Sequence, residues 1–180
     1  MSFHLNDQSD IGREAARLHC LSRMRILDTA AEEAFDSITR AAARYFKVPI
    51  ALVSLVDQDR QWFKSRVGLD VCETERRHSF CSHAIARDDL LVVNDASARP
   101  EFADNPLVTG PPYIRFYAGA LVRIEGKSIG TLCIIDSTPR TFEIAEQRDL
   151  SRMARLVTRQ IKLNARQASK GPFHQLAEGA

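Results

Sequence analysis

The apolar positions of the chain change period several times, and each change marks a boundary between elements. Ile11, Ala15, Leu18 and Leu21 recur at helical spacing and predict a helix over 11–26, with Asp10 as its cap. A second helix is expected where Thr29 and Glu32 form a capping box and Phe35, Ile38, Ala42 and Tyr45 share a face. Pro49 stops it near Lys47, because the residue before a proline avoids helical geometry. Ile50–Val56 is apolar almost throughout, the pattern of a strand covered on both faces. A polar turn at 57–60 leads into the alternating run 61–67. Phe63 and Val67 fall on one face there and Trp62, Lys64 and Arg66 on the other, which predicts a half-exposed strand ending at Gly68.

Residues 70–78 are charged and irregular, after which Ser79 can cap a short helix over Phe80–Arg87. Leu91–Val93 is long enough only for a brief strand. The segment 96–113 carries Pro100, Pro106, Pro111, Pro112 and Gly110, and an ordered loop of that length in a compact domain is usually functional or a lid. Two strands follow, over 117–124 and 129–135, joined by a turn on Glu125, Gly126, Lys127 and Ser128. The second is apolar at nearly every position, so a layer is expected on each side of the sheet. Gly119 and Gly130 interrupt these strands. Such glycines mark either a bulge or tight packing contact, or the floor of a small-molecule pocket.

Thr141 is expected to cap a long last helix on which Leu150, Met153, Ala154, Val157 and Ile161 share one arc. Arg148, Arg152, Arg155, Arg159, Lys162, Arg166 and Lys170 line the opposite side. That stripe is either a solvated face or a basic surface for an anionic partner, and no aromatic residues interleave with it for base stacking. The ends, 1–9 and 169–180, are polar and expected to be flexible, leaving one domain over 10–168.

Composition narrows the class. With 180 residues, 44% hydrophobic and 27% charged, the chain is sized and balanced as one globular domain. No apolar run approaches the roughly 18 residues of a membrane helix, and the first residues lack the pattern of a secretory signal. A net charge of +2 gives no general case for nucleic acid. Cys20, Cys72, Cys81 and Cys133 show no paired spacing, and free thiols in a reducing cytoplasm are expected.

Five stretches together, LVSLVDQDRQWFKSRVGL, SFCSHAI, LLVVNDAS, FADNPLV and IRFYAGALVRIEGKSIGTLCIID, resemble a GAF domain. The likeness is to the bacterial cytoplasmic subgroup often placed ahead of diguanylate cyclase or histidine kinase modules. It runs over about 21–157. The resemblance implies an α+β fold: a six-stranded antiparallel sheet with the N- and C-terminal helices on one face and a ligand pocket on the other. It also implies a homodimer formed through the terminal helices, small-molecule sensing, and signalling to an output partner. No output module follows residue 170, so a free-standing sensor, action in trans on a partner, or an enzyme is expected. The cyclic-nucleotide series of the family and its bilin-attaching Cys-His pair are both missing, so the ligand and any cofactor stay unassigned.

The residues expected to surround a ligand are Phe80, Cys81, Asp95, Phe102, Tyr113, Phe116, Tyr117 and Asp136. Aromatic walls with a few polar groups suit a small-molecule site, though they suit an ordinary core equally. Cys81 is the one weak catalytic candidate. His83, two positions on, points to a different helical face. Cys72, His78, Cys81 and His83 lack the paired spacing of structural zinc, so no metal site is expected. Free methionine sulfoxide reduction, known in relatives of this fold, would use Cys72 and Cys81 as nucleophile and resolving thiol. The readings carried forward are a sensory domain, a non-catalytic interaction module working through the basic helix, and that thiol reductase.

Overall fold

A computed structural model describes residues 8–169. The elements in order are α1 (Gln8–Arg23), α2 (Glu33–Phe46), β1 (Ile50–Val56), β2 (Arg60–Val67), β3 (Glu73–Glu75), α3 (Phe80–Arg87), β4 (Leu91–Val93), α4 (Pro106–Thr109), β5 (Phe116–Ile124), β6 (Lys127–Asp136) and α5 (Ile144–Ser169). Short 3-10 turns at Arg76–His78 and Ala96–Ala98 complete the path. The expected frayed ends lie largely outside the described residues, as does Lys170.

The six strands form one sheet in the order β3-β2-β1-β6-β5-β4, every neighbouring pair antiparallel. β1 and β6 occupy the middle and are buried nearly end to end, as their unbroken apolar runs required. Alternation then splits the core in two. Ala51, Val53, Leu55, Phe116, Ala118, Leu132 and Ile134 face a layer holding Leu21 of α1, Phe35 and Ala42 of α2, and Leu150, Ala154, Val157 and Ile161 of α5. Ile50, Leu52, Val56, Tyr117, Cys133 and Ile135 face a second layer holding Phe80 and Ala84 of α3 with Phe102, Val108 and Ile114.

Several local expectations change. α1 starts at Gln8, so Asp10 lies inside its first turn and pairs with Arg13 (2.6 Å) instead of capping the helix. Ile11 is 60% exposed, and α1 turns Arg17, Cys20 and Leu21 inward in its place. The cap position of α2 is Glu32, not Thr29. The Thr29 hydroxyl instead donates to the Ile26 carbonyl (2.7 Å) and accepts from Lys64 Nζ (2.7 Å). Tyr45 is exposed and donates to Asp149 (2.7 Å). α5 begins three residues after Thr141, where Glu146 accepts from the Glu143 amide (2.8 Å).

The half-exposed β2 is in fact covered. Trp62 and Lys64 are buried under α2 and the chain leading into it, and a bulge at Lys64 resets the alternation so that Ser65 also turns inward. From there Ser65 Oγ donates to Asp36 (2.5 Å) and bonds Thr39 Oγ1 (2.7 Å) on α2. β3 escaped the sequence pattern because Glu73 and Glu75, flanking the polar Thr74, carry the charges of a blunted edge strand. The β5–β6 turn needs only two residues, Glu125 (φ 50°) and Gly126 (φ 73°), and the double positive φ defines a type I′ hairpin.

Candidate functional site

The cavity lies on the α3 face of the sheet and has a volume of about 390 Å³. Its floor is built from the strands: Ile50 and Leu52 of β1, Gln61 and Phe63 of β2, Tyr117 of β5, and Cys133 and Ile135 of β6. Phe80 and Cys81 of α3 form one wall. Leu107, Pro111, Pro112 and Ile114 close the side made by the proline-rich segment, and Leu69, Asp70, Val71, Glu73 and Thr74 form the rim. Apolar side chains dominate, and no Lys, Arg or His is among the described residues that line it.

Each wall has a local cause. Ser79 accepts from the Ser82 amide (3.1 Å) and so starts α3 at Phe80, placing Phe80 and Cys81 in its first turn. The same Ser79 hydroxyl donates to Gln61 Oε1 (2.5 Å), while Gln61 Nε2 donates to Thr74 Oγ1 (3.0 Å), so a line of hydrogen bonds ties α3, β2 and β3 together. Asn105 caps α4 and also donates to the His78 carbonyl (3.0 Å), which fixes the proline-rich segment against the start of α3.

The chemistry converges on Cys81. Tyr117 Oη donates to Cys81 Sγ at 3.2 Å, Thr131 Oγ1 donates at 3.1 Å, and Cys133 Sγ lies 3.9 Å away. Burial works against a thiolate here. The S–H of Cys133 and the hydroxyls of Ser54, Thr131 and Tyr117 outweigh it and bring the Cys81 thiol down to about 6. Ser54 Oγ completes no hydrogen bond at rest but stands close enough to help hold that charge. Cys133 moves the opposite way, pushed well above the ordinary thiol range by its bond to Cys81 and by burial. Burial and the Cys81 charge likewise raise Tyr117.

The eight candidate residues separate clearly. Phe80, Cys81 and Tyr117 line the cavity. Phe102 supports it from behind, its ring stacked on Phe80 at 4.3 Å and touched edge-on by His83 at 4.9 Å. Phe116 points through the sheet to the other core, where it meets Phe142 at 5.5 Å, because it precedes Tyr117 by one residue on a strand. Asp136 is held by Arg140 (2.6 Å) and accepts from the Thr138 amide, while Arg140 also donates to the Phe46 and Lys47 carbonyls at the end of α2. Asp95 accepts from the amide and hydroxyl of Ser97 and caps a 3-10 turn. Tyr113 is 52% exposed at φ 58° and stands outside the lining.

Cys133 was missed as a site residue. Its apolar strand gives no signal for it, and only the register that sets β6 beside α3 brings it to Cys81. Cys72 is exposed and does not line the cavity, so the thiol beside Cys81 is Cys133. Among the described residues no group of three His, Cys, Asp or Glu is placed to hold a metal ion, and no helix is long and apolar enough to cross a membrane.

The GAF domain family model matches residues 30–161. The chain belongs to the GAF family. A cyclic di-GMP phosphodiesterase of Pseudomonas aeruginosa is 47% identical over 128 residues, which is 71% of this chain and 22% of that protein. The chain therefore spans about a fifth of that relative's length. The GAF domain of a Coxiella burnetii phosphoenolpyruvate-protein phosphotransferase superposes with a TM-score of 0.63 at 13% identity, covering 84% of this chain and 98% of that one. The free methionine-R-sulfoxide reductase of Neisseria meningitidis, solved with its substrate, gives 0.62 at 17% identity, covering 93% and 98%. At such identities these two GAF-fold structures share the fold alone.

Proposed function

We propose that this chain is a cytoplasmic sensory domain that takes one small, largely apolar, neutral or cationic molecule into the cavity. Its occupancy would pass to a partner through the terminal helices. The observation that carries the reading is the cavity of about 390 Å³, whose lining is mainly apolar with a few polar groups and no basic side chain among the described residues. An anionic nucleotide would meet Asp70 at the rim, beside Glu73 already paired with Arg60 (2.6 Å), with no cation on the lining to offset its phosphates. That the similar segment makes up 22% of a longer cyclic di-GMP phosphodiesterase favours a regulatory module over a catalytic body.

Two routes connect cavity and helices. Tyr117 meets a ligand on one face of β5, while Phe116 and Ala118 meet the α5 layer on the other. At the sheet edge, Arg76 just before α3 pairs with Glu14 of α1 (2.7 Å). A ligand that draws the proline-rich segment inward would bias both contacts. Leu156 and Leu163, 52% and 40% exposed on α5, offer apolar surface to a second copy of the chain.

Native mass spectrometry of protein isolated from its own cells tests the reading. A reproducible non-covalent adduct lacking phosphate is expected, and a phosphorylated one would overturn the ligand class. Ligand saturation should then alter hydrogen exchange over 144–165; unchanged exchange there would remove the helix readout. A Leu156→Glu variant that stays dimeric would reject that interface.

A further inference from the structure

We propose that Cys81 and Cys133 form an oxidisable thiol pair at the cavity floor, with a small hydroperoxide as the oxidant. Both residues line the cavity, one on α3 and one on β6, and their sulfurs lie 3.9 Å apart. Closing a disulfide needs the sulfurs to approach to about 2 Å. The other two thiols lack such a partner: Cys20 donates to the Ile124 carbonyl (3.4 Å) on the far side of the sheet, and Cys72 is exposed.

The surroundings assign the roles. The hydroxyls of Tyr117 and Thr131 both donate to Cys81 Sγ, so negative charge is stabilised on that sulfur and Cys81 is the nucleophile. Cys133 keeps its proton and is the resolving thiol. The apolar, cation-free lining admits a neutral hydroperoxide and disfavours charged oxidants.

The step balances. The Cys81 thiolate attacks the terminal oxygen of ROOH, the O–O bond breaks, and the leaving alkoxide takes the proton lost from Cys81 to give ROH. Cys81 is now a sulfenic acid. Cys133 sulfur attacks Cys81 sulfur, the S–O bond breaks, and the hydroxide leaves with the Cys133 proton as water. Two thiols are oxidised to one disulfide, and one peroxide is reduced to an alcohol and water. The new bond would tie α3 to β6 and narrow the cavity, adding a redox input to the wall that a ligand contacts. The cavity serves here only as the entry route, so failure of this pair leaves the sensory reading intact.

The test treats the reduced full chain with hydrogen peroxide and with tert-butyl hydroperoxide, followed by intact mass and peptide mapping. The expected product loses about 2 Da, keeps two of its four thiols, maps to Cys81–Cys133 and reverts with dithiothreitol. In Cys133→Ser, oxidation should stop at Cys81 with a gain of about 16 Da that dimedone traps. Wild-type protein that keeps all four thiols, or a disulfide that recruits Cys20 or Cys72, overturns the proposal without reliance on any variant.

Discussion

The phenol of Tyr117 lies across Gly119, two residues along the same strand. A Cβ built at Gly119 would collide with Tyr117 Oη, with the ring carbons close behind. The glycine is therefore the seat that lets Tyr117 lie flat, line the cavity and reach Cys81. Of the two meanings open for a strand glycine, packing holds here, but it is packing in the service of the cavity. Gly130 differs. A Cβ there would strike the Ser54 carbonyl, so this glycine lets β1 and β6 approach at the centre of the sheet.

Gly119→Ala should accordingly destabilise the fold by about 1–3 kcal/mol through overpacking, and displace the Tyr117 ring. The diagnostic outcome is the combination of a lower denaturation midpoint with a raised Cys81 pKa, since one of its donors leaves. A variant that loses stability with Cys81 ionisation unchanged would show that Tyr117 finds its place without the glycine.

Lys64 and Glu32 make a second prediction. The Lys64 side chain is 0% exposed, and its ammonium meets Glu32 Oε1 (2.6 Å), Thr29 Oγ1 and the Ala30 carbonyl (2.7 Å each), over the ring of Phe35. Glu32 also accepts from Asn164 of α5 (2.6 Å), so the pair joins β2, α2 and α5. Removing the acid strands a buried cation, whereas removing the cation leaves an acid that can still reach water. Glu32→Ala should thus cost about 3 kcal/mol and Lys64→Met about 1 kcal/mol or less, read from urea denaturation midpoints. Equal losses would contradict the asymmetry.

These two cases show what could be read ahead of the coordinates. The period of the apolar runs located β1, β5, β6 and the inward arc of α5, because burial on a regular element imprints directly on spacing, and the Ser79 cap located α3. It failed at β2, where a bulge resets the phase after Lys64, and at β3, whose three charged or polar residues carry no apolar imprint. The candidate site was half legible for the same reason. Phe80 and Tyr117 follow from aromatic pattern and strand order, but Phe116 was grouped with its neighbour, although one step along a strand reverses the face. Cys133 reaches Cys81 only through a pairing between elements 52 residues apart, and no local pattern encodes that.

Acid sensitivity should centre on Glu14. Hydrogen bonds from Arg17 and Arg76 outweigh burial and hold its carboxyl at about 2, below an ordinary value of 4.5. Arg17 in turn donates to the Val56 carbonyl (2.6 Å), so the group pins α1 to the sheet. A depressed folded pKa means the stabilisation is complete above about pH 4.5 and fades as pH falls toward about 2. Glu14→Gln should flatten that part of the stability profile while leaving the neutral-to-alkaline slope alone. Parallel profiles for variant and wild type across the acid window would exclude Glu14 as the source.

Cys81 reactivity should follow its donors. Thiolate absorbance should rise through a midpoint near 6, because deprotonation leaves a charge that Thr131 and Tyr117 already face. Tyr117→Phe keeps the ring and removes one donor, and Thr131→Val removes another at nearly constant shape. Each should move the midpoint upward, and the double variant should move it further, since burial is the opposing influence left in place. The signal must vanish in Cys81→Ser and persist in Cys20→Ser. If the midpoint instead stays near the ordinary thiol value in wild type and is indifferent to both hydroxyls, Cys81 is a packing residue. The contacts at 3.1 and 3.2 Å would then serve only to satisfy buried hydroxyls.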